Sequence, residues 1–396
     1  MRRVLLLALT AAAVAVPAAL AADPGVSSKQ IVLGGTAPLS GPASLLASVA
    51  NGAGAYFKYV NAHGGVNGRS VVYKVVDDQY SVPLTVQATK QLVEQDKVFA
   101  LFNSVGTPNG IAVEGYLNAA GVPQLFQGSG SSSLATPAHK WSMGFLPPFT
   151  GEGRIYGRWI VAHRPGAKIG VVYENNEFGT DELAGLRQGL GAKASQIVAT
   201  QSYELTDTNL ESQISQLKAA GADTLMVFAT PQFAILSYAA AHKLGWAPQY
   251  YLSFVSPSPN VMDIIRATVG PQANGTISIA FVKDPTNLKL WGKDPAIKLY
   301  KQVLKCCLKG GAYADVYNYY GMAAAYTMVD ALRHAGKNPT RASLLKAVTH
   351  LNEVNPFLLP GIKVRTSPRD YQPIQQAQVI RYENGTWNLV GKLVGT

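Results

Sequence analysis

Two short stretches carry the residue types best suited to holding a small anion. Ser104-Val105-Gly106-Thr107 follows an apolar run at 98–102 and opens a helical pattern at Pro108. Gly128-Ser129-Gly130-Ser131-Ser132-Ser133 follows a second apolar run at 122–126. Glycine leaves backbone N–H groups accessible, hydroxyls donate hydrogen bonds, and a helix start adds partial positive charge, so the set suits a carboxylate. Ordinary turns and N-caps use the same residue types, and the residues alone leave both readings open. Enzyme chemistry finds less support. The chain has no G-x-S-x-G elbow, no H-E-x-x-H and no G-K-[ST] loop, and His63, His139, His163, His242, His334 and His350 show no ligand spacing. Gly151-Glu152-Gly153 with Gly157 has the wrong spacing for a dinucleotide loop, and Pro147-Pro148-Phe149-Thr150 before it is a poor strand. That stretch reads as a crossover between domains. No catalytic residue, cofactor or metal ligand is expected.

The elements that must position these loops alternate between strand and helix. An apolar run at 31–33 leads through Gly34-Gly35-Thr36-Ala37-Pro38-Leu39-Ser40-Gly41-Pro42 into a helix over 43–60, whose apolar face carries Leu45, Val49, Tyr56 and Val60. The turn Val66-Asn67-Gly68-Arg69 precedes a strand over 71–76 that closes on Asp77-Asp78. A helix over 108–120 separates the two runs that carry the loops. After Pro147-Pro148 a second series begins, with strands at 169–173, 197–202 and 224–228 and helices at 181–190 and 209–220. The 396 residues exceed what one core ordinarily supports. The fold class is therefore α/β, with two doubly wound lobes. Near the end, 378–382 and 386–390 flank Glu383-Asn384-Gly385, an Asn-Gly hairpin signal.

Residues 1–21 read as a secretory signal peptide: Arg2 and Arg3, an apolar run over 4–16, and Ala19-Leu20-Ala21 as the cleavage pattern. The run is shorter than the roughly 20 residues a membrane span needs. The only cysteines are Cys306 and Cys307, so no cysteine stands at the cut to take a lipid. Without Arg2 and Arg3 the chain keeps 32 basic against 23 acidic residues, dispersed with no run of three. A solvated basic surface is the reading, not nucleic-acid binding. Adjacent Cα atoms lie about 3.8 Å apart, below the ~4.4 Å lower limit usual for a disulfide, so the pair is expected to stay unbridged. On a helix over 295–308, Cys307 shares a face with Tyr300, Val303 and Leu304 and is expected to pack as a small apolar group, with Cys306 about 100° away.

Leu39-Ser40-Gly41-Pro42, Gly64-Gly65-Val66-Asn67-Gly68-Arg69 and Val75-Val76-Asp77-Asp78 come in an order and spacing that resembles the periplasmic substrate-binding proteins of ABC transporters, branched-chain amino-acid-binding type. The resemblance continues through 102–108, Gly121-Val122-Pro123-Gln124, Asn175-Asn176-Glu177-Phe178-Gly179 and Tyr320-Gly321-Met322-Ala323. It implies the type I fold, two Rossmann-like lobes joined by a three-segment hinge crossing near Pro148, near 277–281 and near Asn355. The N-terminal lobe would take 27–147 and 282–352, the C-terminal lobe 148–281 and 353–396. The implied function is a monomeric periplasmic receptor that closes on a small carboxylate, an amino acid or an aromatic or aliphatic acid. It would deliver this ligand to an inner-membrane ABC permease. A sensory protein of the same fold feeding a membrane kinase is the alternative, and a secreted hydrolase a weaker one.

The same resemblance assigns the ligand's carboxylate to Gly106, Thr107, Gly130 and Ser131, with Ser129 and Ser132 as the neighbours a one-residue slip would promote, and counts Val105 among the ligand-binding residues. Leu46 would stand where relatives often place an aromatic ring, leaving a wider apolar pocket. Phe149 and Phe178 would close over the ligand, Phe178 in place of a common tyrosine. A disulfide frequent near the ligand loop is absent, since Gln79 and Val105 occupy that region. The acid that relatives supply for the ligand's amine is also missing: after 250–254 the chain runs Val255-Ser256-Pro257-Ser258. Glu177 and Asp78 are the possible substitutes. A buried ammonium without a partner is costly, so a carboxylate with an apolar or aromatic body is favoured over a standard branched-chain amino acid. Intact mass of the exported protein should place its first residue at Ala22 or Asp23 without acyl chains; a mass that retains the leader contradicts this.

Overall fold

The computed structural model describes residues 23–396, so the expected leader and its cut at Ala22 lie outside the described residues. The first sheet contains β1 (Gln30–Ala37), β2 (Ser70–Asp77), β3 (Ala100–Phe102), β4 (Gln124–Gln127) and β5 (Ser142–Gly144), all parallel, in the order β2-β1-β3-β4-β5. The second contains β6 (Ile169–Glu174), β7 (Ile197–Tyr203), β8 (Thr224–Phe228), β9 (Gln249–Leu252) and β10 (Ile277–Ala280), parallel in the corresponding order β7-β6-β8-β9-β10. A short antiparallel pair, β11 (Asn352–Glu353) and β12 (Val364–Arg365), comes next in the chain. The hairpin β13 (Gln376–Glu383) and β14 (Thr386–Gly395) then adds antiparallel to the free side of β10. The sequence-based reading of an α/β protein with two doubly wound lobes therefore stands. In each lobe the strand order reverses beside the first strand, which opens a crevice at the strands' carboxyl ends. Helices cover both faces, so a strand such as β8, Thr-Leu-Met-Val-Phe, is buried throughout.

Glycines set the closest helix contacts. Helices Phe149–His163 and Glu177–Leu190 cross backbone against backbone: a Cβ on Gly153 would lie 2.2 Å from the Glu182 carbonyl, and one on Gly185 would lie 2.2 Å from that of Thr150. Gly157 and Gly189 extend the contact by one turn in each helix. The stretch around Gly151, expected to be a crossover, crosses only at Pro147-Pro148 and is otherwise this helix. Glycine is a poor helix former, yet successive turns here must present no side chain at all. In the first lobe, Gly52 meets the Asn318 carbonyl and Gly321 that of Val49, which seats helix Val316–His334 against helix Ala47–Ala62.

The cysteine expectation fails. Cys306 and Cys307 form a disulfide, with Cα atoms 3.7 Å apart. The ordinary distance limit describes cysteines brought together from separate segments, whereas the peptide link itself holds this pair together. The pair also closes helix Pro295–Cys307, so no further turn constrains it: Leu308 leaves at φ −137°. Cys307 still packs at the edge of the core, while Cys306 is exposed.

Near the last crossover, Glu353 receives a hydrogen bond from Thr327, while its Oε2 is buried without a partner. Burial, and then the charge of Asp330, push its carboxyl up to about 7. The folded chain therefore keeps a proton that the unfolded chain loses above about 4.5. Stability from this group is full at low pH and falls as pH rises from about 4.5 to about 7. Glu353→Gln should flatten that part of the melting-temperature curve relative to the parent; parallel curves contradict the assignment. Gly153→Leu should destabilise by about 3 kcal/mol in denaturant unfolding, as overpacked cores do. Gly166→Ala, with open space around it, should be neutral.

Candidate functional site

A cavity of about 120 Å³ lies between the lobes, at the carboxyl ends of both sheets. Among the helices that begin on its wall are six, starting at Thr107, Phe149, Glu177, Pro231, Pro259 and Val316, that reach it through Thr107, Phe149, Phe178, Thr230, Ser258 and Tyr317. Their N-terminal dipole ends converge on the space and favour negative charge there. No lysine or arginine lines the cavity among the described residues.

The first lobe supplies the better-formed polar corner. Val105 donates its N–H to the Thr36 carbonyl at 3.0 Å, and the Gln127 amide holds the Gly106 carbonyl at 3.0 Å. Gly106 turns at φ +112°, and a side chain there would strike Asn109. Only glycine makes this entry into the helix without strain. Thr107 follows as the first helical residue, its Oγ1 2.8 Å from the Ser129 hydroxyl.

Leu46, Val105, Gly106, Thr107, Phe149 and Phe178 all lie on the cavity wall. Ser129, Gly130 and Ser131, expected beside them, stand behind it. Ser129 is buried and supports Thr107, and its Oγ also accepts from the Ser131 N–H. Gly130 faces the Pro147 carbonyl so closely that a Cβ would lie 2.2 Å away, which seats the first crossover. The Ser131 hydroxyl reaches the other lobe, donating to Asp181 at 2.9 Å. These serines are spent on the loop and on lobe contact because two backbones converge there.

A row of rings forms the apolar wall. Phe178 and Phe149 are 4.8 Å apart between centroids, Phe149 and Phe254 5.8 Å, Phe254 and Phe281 5.7 Å, Phe281 and Tyr320 6.0 Å. The lobes touch beside it: Tyr317 donates to the Val255 carbonyl at 2.9 Å, and the Val316 N–H to Ser258 at 3.2 Å. Sequence reasoning missed Tyr80, Thr230, Phe254, Phe281, Tyr320 and Trp387. A legible signal existed for Thr230 and Ser258. Like Thr107, each is a hydroxyl residue directly before a proline that opens a helix after a strand.

The acids near the cavity are turned away from it. Asp78 is buried, receiving hydrogen bonds from the Tyr80 N–H and the Thr85 hydroxyl, and Glu177 is exposed; neither lines the wall. Glu174 lies beneath Thr230, taking hydrogen bonds from Tyr203, Thr230 and Asn176, and burial pushes its carboxyl up. Behind Phe254, Glu152 accepts from Tyr156 and the Phe254 N–H at 2.7 Å each, while the Ser253 hydroxyl donates to Glu182 at 2.6 Å. Burial raises both carboxyls, Glu182 further because Glu152 is beside it. Asp284 does line the wall; its Oδ1 is taken by Thr286 and burial pushes it up as well.

This geometry agrees with the comparisons to known proteins. A "Leu/Ile/Val-binding protein homolog 7" of Brucella abortus (strain 2308) is 27% identical over 244 residues, 58% of this chain and 60% of its own length. The chain thus spans about 60% of that curated relative. Among solved structures, a branched chain amino acid ABC transporter protein from Thermus thermophilus with bound valine has a TM-score of 0.83 at 18% identity, covering 94% of this chain and 98% of its own. A fatty acid ABC transporter substrate-binding protein from Thermomonospora curvata has a TM-score of 0.76 at 22% identity, covering 95% of each. The family described as "Periplasmic binding protein" matches residues 30–386. With a match that takes in every strand of both sheets but β14, and every wall residue of the cavity but Trp387 and Leu389, the chain belongs to the periplasmic binding protein family.

Proposed function

We propose that this protein is a solute receptor that closes its lobes around a small carboxylate with an apolar body and delivers it to an inner-membrane ABC permease. The observation that carries the reading is the wall itself: converging helix starts and the Gly106-Thr107 corner on one side, an unbroken row of rings on the other. The carboxylate sits at the first lobe's corner, against the positive end of the Thr107 helix and the Thr107 hydroxyl, which Ser129 orients. Phe149 and Phe178 cover it from the second lobe.

Among the described residues an ammonium group finds one carboxylate on the wall, Asp284, whose Oδ2 is buried without a partner. The turn after β9 offers Ser253, Phe254, Val255 and Ser256, and the carboxyls behind it are buried and pushed towards their neutral forms. An amino acid would have to pair its charge with Asp284 alone, whose carboxyl burial pushes up. The relatives' descriptions span both ligand types, since one neighbour holds valine and another is a fatty acid receptor. The mechanism is differential affinity: ligand that touches both lobes binds the closed form better and shifts the population towards it.

Titration calorimetry with octanoate, its methyl ester and leucine tests the reading. Octanoate should bind and shrink the molecule in solution scattering, and the ester and leucine should bind more weakly. Thr107→Val removes a hydrogen bond to a charged group, worth about 1.5–3 kcal/mol, so affinity for octanoate should drop roughly ten- to a hundredfold. Equal binding of acid and ester would overturn the carboxylate assignment.

A further inference from the structure

We infer that the outer face of helix Pro295–Cys307, with the segments on either side of it, is a docking surface for an anionic lipid bilayer. The assignment is independent of the carboxylate reading, because none of its lysines lines the cavity. Lys289, Lys293, Lys298, Lys301, Lys305 and Lys309 all fall within this stretch, and all are exposed. Lys298, Lys301 and Lys305 are spaced by three and four residues and share one face of the helix, while Ala296, Ile297, Tyr300, Val303 and Leu304 bury the other. Nothing in the chain neutralises this charge. Among the described residues none of the six lysines forms an ion pair. Asp294 is the only acid between 285 and 314; it pairs with Lys283 at 2.7 Å and accepts from the Ala296 N–H.

Two observations favour a bilayer over an acidic protein. The stretch has no arginine, the residue whose planar fork pairs carboxylates bidentately; lysine is a mobile point charge that suits a diffuse anionic surface. Hydrocarbon also stands among the charges. Leu304, Leu308 and Tyr313 share a surface depression with Lys301, Lys305 and Lys309, and Leu288 and Leu290 are 53% and 47% exposed. Tyr313 ties the segment before the helix to the helix face: its hydroxyl donates to the Pro285 carbonyl at 2.6 Å, and the Lys301 ammonium lies 5.1 Å from its ring. The helix spends its own apolar face on the core, so the contact is peripheral. Charge draws the surface to the headgroups, and the exposed leucines meet the interface.

Flotation of the exported protein with vesicles of phosphatidylglycerol or of phosphatidylcholine tests this. The parent should bind the first and not the second, and more weakly as salt is added, a result that needs no variant. A lysine at such a surface strengthens binding roughly fivefold, so Lys301→Glu, Lys305→Glu and Lys309→Glu combined should weaken it at least about a hundredfold. The same reversal at Lys168, Lys193 and Lys346, exposed on other elements, changes net charge equally and should weaken it less than about tenfold. Glycerol phosphate at matched ionic strength should not displace the vesicles. Equal losses in the two triple variants, equal binding to both lipids, or no binding to either would overturn the assignment. Displacement by glycerol phosphate would mean a site for a free anion and would overturn it too.

Discussion

The rest of this structure depends on where its helices begin. Two sheets of corresponding strand order place their carboxyl ends against one gap, and six helices start there. Each start leaves N–H groups without intrahelical partners and carries the positive end of a dipole. Because no lysine or arginine among the described residues shares the wall, the backbone itself supplies the field. Burial pushes the carboxyls of Glu174, Glu182 and Asp284 up, which weakens the opposing charge near the gap. A dry gap between such ends strengthens every electrostatic contact made within it.

Packing far from the gap sets its precision. The glycine contacts between helices Phe149–His163 and Glu177–Leu190 fix the separation of their first turns, and with it the 4.8 Å spacing of the Phe149 and Phe178 rings. Behind Phe254, the hydrogen bonds of Glu152 and Ser253 hold the turn that aims its ring. This part of the cavity wall is thus built on helix ends and not on a loop, while the chain crosses between the two sheets at Pro148, after β10 and near Asn355. Hydrogen bonds such as Tyr317 to Val255 and Ser131 to Asp181 bridge the lobes beside the cavity. A ligand that holds the lobes together adds to these contacts.

The two-lobe fold was legible because strand and helix periods alternate cleanly and the turns carry Gly and Asn. The corner at Gly106 and Thr107 was legible for the same reason, as a glycine and a hydroxyl between a strand and a helix. What periodicity could not supply was depth. Ser129 and Ser131 look like ligand donors in sequence, but close backbone approach at Gly130 turns them to other partners. The glycines at 153 and 157 argued against helix by propensity, and tertiary contact with Gly185 and Gly189 of the next helix overrode them. Trp291 and Trp387 lie almost a hundred residues apart and line one cavity from a short helix after β10 and from β14, which no local pattern reveals. The adjacent cysteines misled because a rule for distant pairs was applied to neighbours.

The claim at the centre of this account is that helix N-termini, without a side-chain cation, hold an ionised carboxylate in an apolar gap. Carbon-13 NMR of octanoate labelled at its carboxyl carbon, bound to the protein and titrated with acid, tests it directly. The account predicts that the bound carboxyl keeps the chemical shift of its ionised form to a lower pH than free octanoate does. A bound carboxyl that is protonated at neutral pH would show that burial outweighs the helix ends and would contradict the account.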